Sequence, residues 1–357
     1  MTSEYPEWEE TLAAIASGEG TVVLLGGTDV GKTTFARLLV NRLAESGAPC
    51  ALLDADVGQS EIGPPACVGL ALVESPVASL CDLTPRALAF VGHTSPQRHL
   101  PEHIAAVRRL ADLAAPYRLI VDTSGYLHGP GARRLNQLEL DLLAPAHIVG
   151  LQRQNELNAI LAPMRWREGC AIHTPALPAV LSKKPPAFRA QRRAMKFAAY
   201  FQNAAMHTYS FDEAALVGTW LAGSAPLASH IHTYLSTAFG AHIKVFHAEM
   251  HDRTLCLMTS QPLPPQSSEL AQALSALKAS SVLVTVAPRL KHLLLGLEGA
   301  NGKLLGLGLL EALDFRRRTL GVLTPVRAPL AARILRFGSL RLYPDGREID
   351  SLKPGEL

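Results

Sequence analysis

An apolar run, TVVLL at residues 21 to 25, opens directly into GGTDVGKTT at 26 to 34 and then into the amphipathic stretch Phe35–Glu45. Nothing else in the chain constrains the fold as tightly. The loop fits G-x-x-x-x-G-K-[ST], with Gly26, Gly31, Lys32 and Thr33 at the required positions behind a strand-like run. Glycines let the backbone curl until the N–H groups of Gly27, Thr28, Asp29, Val30, Gly31, Lys32, Thr33 and Thr34 can point at one anion. The helix that starts near Lys32 adds its positive end. Such a loop is expected to cradle a nucleoside triphosphate, with Lys32 reaching the β- and γ-phosphates and the Thr33 hydroxyl ligating Mg²⁺. A glycine-rich turn that binds nothing is the competing reading, and the spacing and flanking periodicity argue against it.

With 357 residues the chain can bury a sizeable core and is expected to form two domains. A net charge of +3 speaks neither for nor against nucleic acid, so the distribution of charge has to be read instead. The five cysteines form no C-x-x-C pair and are odd in number, which suits a reducing cytoplasm. The acidic start MTSEYPEWEE lacks signal-peptide order, and glycines and charges interrupt the leucine-rich stretch Leu293 to Leu310. A soluble, cytoplasmic protein without a membrane partner is expected.

Strand-like runs at Thr21–Leu25, Cys50–Leu53, Ala87–Val91, Arg118–Asp122 and His147–Leu151 alternate with amphipathic stretches at Phe35–Glu45, Glu102–Ala115 and Ala132–Leu143. That cadence implies an α/β P-loop NTPase domain: a mostly parallel sheet covered by helices on both faces, with ligands at the carboxyl ends of its strands. The proline-rich segment 175 to 187 ends the alternation, and a helix-like segment follows at Phe188–Asn203. From about 205 short β-like runs dominate (Ile243–His247, Leu255–Met258, Val282–Val286, Leu320–Leu323, Leu340–Leu342), with turns such as PLPPQSS at 262 to 268. The expected domains are therefore 1–204 and 205–357, the second β-rich.

The second strand ends in LLDADVGQSEIGPP. Asp54 and Asp56 stand two apart, and a Mg²⁺–phosphate complex needs a carboxylate as metal ligand or as base. Either aspartate could instead cap the turn that follows, a role that suits Asp54 better than Asp56. Gln59 offers a neutral amide beside them. The strand RLIVD ends at Asp122 and Thr123; Asp122 is a candidate metal ligand, and one of the two should face the γ-phosphate. The loop FVGHTSPQRHL, with His93, Thr94 and Arg98, leaves another strand end and suits a substrate wall. A zinc site has little support: Pro101 separates His99 from His103, and His247 and His251 bracket an irregular stretch with no clear third ligand.

GGTDVGKTT, DADVGQSEIGPP, FVGHTSPQRHL and DTSGY, in that order, resemble the polynucleotide 5′-hydroxyl kinase family, the P-loop kinases of tRNA splicing, pre-mRNA 3′-end cleavage and ribosomal RNA processing. The likeness is strongest over residues 20 to 205. With about 20 residues ahead of the P-loop, the chain resembles the compact prokaryotic members. The resemblance implies transfer of the γ-phosphate of ATP to the 5′-hydroxyl of RNA or DNA. It makes Lys32 the phosphate-binding lysine, Thr33 the Mg²⁺ ligand and Asp56 the candidate general base. Between Lys183 and Lys196 stand six basic residues and no acidic one. Arg189 and Arg193, four apart on a helix, are similar to the arginines of the family's lid, which stabilise charge on the transferring phosphoryl group. A solvated basic helix is the alternative.

Tyr126 follows the T-x-G turn where many members have tryptophan, and can still stack on the acceptor. Arg98, Arg133 and Arg134 are candidates for the acceptor's backbone phosphates. The walls of the acceptor path are expected at 59–65, 92–99 and 125–134. Two rivals remain: a nucleotide-gated RNA-processing assembly protein that binds ATP without kinase activity, and a GTPase-type relative. The absence of an N-K-x-D signature argues against the second. Protein partners are not legible in the sequence.

Overall fold

The computed structural model describes residues 4–222, 227–240, 242–264, 268–353 and 356–357. Part of the expected turn at 262 to 268, residues 265–267, lies outside the described residues. Two compact units divide the chain, Met1–Phe197 and Ala198–Leu357.

The first unit is built on strands β1 (Val22–Gly26), β2 (Cys50–Asp54), β3 (Cys67–Val73), β4 (Ala87–Phe90), β5 (Arg118–Asp122), β6 (His147–Leu151) and β7 (Ala171–His173), in the order β4-β3-β2-β5-β1-β6-β7. Five of them, β2-β5-β1-β6-β7, are parallel, while β3 pairs antiparallel with both β2 and β4. Because β3 reverses and β4 reverses again, β4 runs the same way as β2, so the loop leaving Phe90 emerges at the same sheet edge as the P-loop. Central strands that must be apolar on both faces read as unbroken hydrophobic runs, and every residue of β1 and β2 is buried.

Alternate residues of each strand feed two cores. Val22, Leu24, Leu52 and Ile120 meet α1 (Pro6–Ala16) and α2 (Lys32–Glu45) through Trp8, Leu12, Phe35 and Leu39. Val23, Leu25, Leu53 and Val121 meet α3 (Leu100–Asp112), α4 (Pro130–Leu143) and the short α5 (Asn158–Leu161) through Val107, Leu110, Leu140 and Ile160. In α3 the buried positions 103, 106, 107 and 110 follow the helical repeat. Buried His103 Nε2 donates to Glu139 Oε1 at 2.9 Å, locking α3 to α4.

Helix α6 (Pro186–Phe201) carries the division between the units. The sequence places the boundary after 204, whereas the compact units part between 197 and 198. Phe197, the last residue of the first unit, is buried, and the Tyr200 hydroxyl already accepts from the Leu307 N–H of the second unit at 2.7 Å.

The second unit holds a sheet ordered β17 (Glu348–Ser351), β16 (Ala332–Leu342), β13 (Leu293–Gly299), β14 (Leu304–Asp314), β15 (Thr319–Thr324) and β8 (Ala205–Ser210), with β9 (Ala215–Val217) pairing β16. A smaller sheet of β10 (Val245–His251), β11 (Thr254–Thr259) and β12 (Ser281–Val286) packs with α7 (Ser229–Ala238) and α8 (Ser268–Ala276) around Leu235, Leu257 and Ala273. The leucine-rich run 293–310 is the β13–β14 hairpin, and among the described residues no helix is long and apolar enough to cross a membrane. His247 and His251 do not bracket an irregular stretch. They stand with Glu249 on one face of β10, and Glu249 bonds both rings, at 2.7 and 2.8 Å.

Candidate active site

The P-loop joins β1 to α2. Gly31 caps α2 with φ +90°, and a β-carbon there would lie 2.7 Å from Trp8 Cη2, so the position demands glycine twice over. Val30 is buried and turns its side chain into the core, leaving only its backbone for the loop. The first helical bond, Phe35 N–H to Gly31 O, leaves the amides of Lys32, Thr33 and Thr34 without intrahelical acceptors, as at any helix start. Lys32 lies back on the loop, its Nζ 2.9 Å from Gly27 O. Gly125 packs so closely on Thr28 that a β-carbon would come within 2.7 Å of Thr28 Cγ2. The turn after β5 is thereby pressed onto the P-loop.

A cavity of about 380 Å³ opens over this loop, lined by Thr28, Asp29, Gly31, Lys32, Thr33 and Thr34 on one side, Asp56, Gln59 and Glu61 on a second, and Val180–Ser182, Lys184, Phe188, Arg189 and Arg192 on a third. Thr33 Oγ1 donates to Asp122 Oδ2 at 2.7 Å, and Asp122 Oδ1 is buried with no partner. Burial raises the Asp122 carboxyl to about 6 against the opposing pull of Lys32 and the Thr33 hydroxyl. A hydroxyl and an orphaned carboxylate oxygen side by side beneath a P-loop fit a divalent cation.

Asp54 is otherwise employed. Its Oδ1 accepts from Asp56 N–H at 3.0 Å; its Oδ2 accepts from Ile62 N–H at 3.0 Å, the Ser60 hydroxyl at 3.2 Å and Glu61 N–H. Desolvation, reinforced by Asp122 nearby, raises its carboxyl to about 7. Asp54, expected as a metal ligand, thus holds the loop that presents Asp56. Asp56 accepts from Gly58 and Gln59 N–H groups through Oδ1, each at 3.0 Å. Thr123, expected near the γ-phosphate, is buried, and its hydroxyl donates to Leu24 O at 2.6 Å, bracing β1.

Of the two arginines expected on this helix, Arg189 lines the cavity and Arg193 is not among its lining residues; Arg192 lines it as well. Positions three apart share a helix face as readily as positions four apart, and α6 is rotated so that 189 and 192 look inward. Arg189 Nη1 donates to Asp29 Oδ2 at 2.9 Å and to Lys184 O at 2.8 Å. Arg192 and Lys196 both bond Glu61, as does the Cys81 thiol. Burial alone would raise the Glu61 carboxyl, but those partners outweigh it and hold it below the usual range.

Among the other expected substrate residues, Gln59 lines the cavity and its amide reaches Arg189 O at 3.3 Å. A β-carbon on Gly58 would lie 2.8 Å from Thr94 O, so the loop after β4 abuts the Asp56 loop. His93 in that loop is buried and accepts Ser95 N–H at 2.8 Å, while Arg98 is exposed. Arg133 and Arg134 line a second cavity of about 520 Å³ with Leu127, His128, Gln137 and Glu156. Tyr126 stands at its border: a β-carbon on Gly131 would lie 2.9 Å from the Tyr126 hydroxyl.

Residues 26–203 match the family described as mRNA cleavage and polyadenylation factor CLP1 P-loop. A polyribonucleotide 5′-hydroxyl-kinase of Pyrococcus horikoshii is 30% identical over 361 residues, covering 99% of this chain and 95% of that relative. The chain belongs to the polynucleotide 5′-hydroxyl kinase family. Another relative so named, from Methanocaldococcus jannaschii, is also 30% identical, over 98% of this chain and 96% of its own. The solved structure of a wild-type Clp1p–Pcf11p complex shares the fold, with a TM-score of 0.60 at 13% identity over 95% of this chain and 80% of that one.

Sequence reasoning missed Glu61, Arg192 and Trp8 in this family site. Glu61 lies within the quoted DADVGQSEIGPP motif, and an acidic residue facing a basic helix was the signal available for it. Trp8, whose Nε1 donates to Ala176 O at 3.0 Å, lies 168 positions away in sequence and left no local trace.

Proposed function

We propose that the chain transfers the γ-phosphate of ATP to the 5′-hydroxyl end of a polynucleotide, RNA or DNA, in a reducing cytoplasm. The observation that carries this reading is that Lys32, Thr33, Asp56 and Arg189, from three separated stretches of sequence, line one cavity. On this reading the P-loop amides and Lys32 bind the phosphates, and Thr33 and Asp122 hold Mg²⁺, which supplies charge neutralisation on the phosphate oxygens when bound. Asp56 accepts the proton of the acceptor 5′-hydroxyl as its oxygen attacks the γ-phosphorus, the bond to the β,γ-bridging oxygen breaks, and ADP leaves. Arg189, with Arg192 beside it, neutralises the phosphoryl oxygens; Arg189 leaves Asp29 to do so. The hydrogen bonds at Asp56 Oδ1 leave its other oxygen for the acceptor. Residues 1–204 carry the chemistry and 205–357 act as an accessory domain.

The acceptor enters past Gln59, the His93–Thr94 loop and Tyr126, with Arg98, Arg133 and Arg134 on its backbone. The test is direct. Incubation with γ-labelled ATP and a 5′-hydroxyl oligonucleotide should place label on the oligonucleotide, and Lys32→Ala should abolish it. ATP binding without transfer would establish the assembly-protein alternative instead.

A further inference from the structure

Trp166 is 90% exposed, the most exposed of the large hydrophobic side chains among the described residues. It stands in the 3₁₀ turn Pro163–Trp166, whose Met164 is buried and anchors the turn, and whose end is closed by Arg167 N–H to Met164 O at 3.1 Å. Its sequence neighbours are basic. Arg167 is ion-paired to Asp141 of α4, which fastens the turn to that helix, while Arg165 is exposed and has no ion-pair partner among the described residues. An exposed indole beside an unpaired arginine offers a nucleobase a stacking face and its phosphate a cation.

The second cavity shares α4 and α5 with the surroundings of this turn. Arg133 and Arg134, exposed and also without ion pairs among the described residues, begin the path. Leu127, in the same cavity wall, would lie 3.7 Å from a β-carbon on Gly27, so the cavity flanks the P-loop. Arg134, Leu138 and Asp141 lie at i, i+4 and i+7 on α4, one helix face, and Leu138 is 39% exposed. On the other wall, Ala159 and Ile160 of α5 line the cavity, and the chain reaches Pro163 three residues later. Positive charge near the reacting end, an exposed leucine, then an exposed indole flanked by arginine is the composition of a single-strand track. The acidic groups along it are accounted for. Asp141 is paired with Arg167, Glu156 is occupied by the N–H groups of Arg153 and Gln154, and Glu168 stays exposed beyond the indole.

The geometry points to a second acceptor subsite on this face: the single strand whose 5′ end sits at the P-loop runs along α4 and stacks a downstream base on Trp166. The inference rests on the kinase reading above. From Pro130 to Asp141 the helix rises about 16 Å, roughly five stacked nucleotides. Only acceptors longer than that reach the indole.

The experiment is a length series of 5′-hydroxyl oligoribonucleotides, from two to twenty nucleotides, phosphorylated by wild type, Trp166→Ala and Trp166→Phe. With the long acceptors Trp166→Ala should raise KM by about fivefold or more at unchanged kcat, as expected for losing one base–aromatic stack. Trp166→Phe should retain most of the affinity, and the shortest acceptors should not distinguish the three. Equal KM for wild type and Trp166→Ala across all lengths would overturn the subsite. A second readout is independent of phosphate transfer: titration with oligouridylate should quench tryptophan fluorescence in wild type and not in Trp166→Phe. Quenching without phosphate transfer would refute the kinase reading and keep the track; transfer without quenching or a length effect would do the reverse.

Discussion

Replacing Glu61 by glutamine removes the single negative charge to which α6 is tied by two cations. Glu61 is 11% exposed, Arg192 34% and Lys196 23%, so both pairs are partly screened. Pairs of that exposure are worth about 1 kcal/mol each, near the upper end of surface values. The glutamine carbonyl can still accept one hydrogen bond, which leaves a loss of about 1.5 kcal/mol. That corresponds to roughly a tenfold rise in the population of detached helix. Phe197 stays buried, so the helix frays from its lid end while the rest of the unit holds. Hydrogen exchange followed by mass spectrometry on peptides covering residues 188–197 should show protection falling by about that factor, with β5 unchanged. Exchange of α6 within twofold of wild type would show that Glu61 does not hold the lid. Loosening of β5 to the same extent would show that its role is to stabilise the whole unit.

Asp122→Asn should lower nucleotide affinity in Mg²⁺ by about tenfold or more and bring it close to the affinity measured in EDTA, whereas wild type should keep a clear difference between the two conditions. His103→Leu leaves the Glu139 carboxylate buried without its partner and should destabilise the first unit by about 3 kcal/mol, read as a shift in urea midpoint by pulse proteolysis. Adding Glu139→Leu should recover most of that loss, because two apolar groups replace the buried pair.

The P-loop, the parallel strands and the acidic strand tips were legible because each is a local pattern: continuous apolar runs, glycines at fixed offsets, carboxylates at run ends. Strand β3 was not. CVGLALV follows the prolines of the Asp56 motif, and its role as an antiparallel insertion depends on pairing with β2 and β4, which no local period records. Whether Arg192 or Arg193 joins Arg189 at the cavity was hidden for a related reason: both positions share a face with Arg189, and only tertiary packing sets the rotation of α6. Asp54 and Asp56 stand at the same strand parity, and only the backbone amides of residues 61 and 62, folding back seven and eight positions later, assign them different tasks. The P-loop's dependence on Trp8 and Leu181, which close over Gly31, is likewise tertiary.

The central claim is that Asp56 and the P-loop act on one phosphorus atom, and single-turnover phosphate transfer by Asp56→Asn, at saturating ATP and acceptor, tests it. The account predicts a rate lower by about 10²–10⁴ with ATP affinity within threefold of wild type. A rate within tenfold of wild type would contradict it.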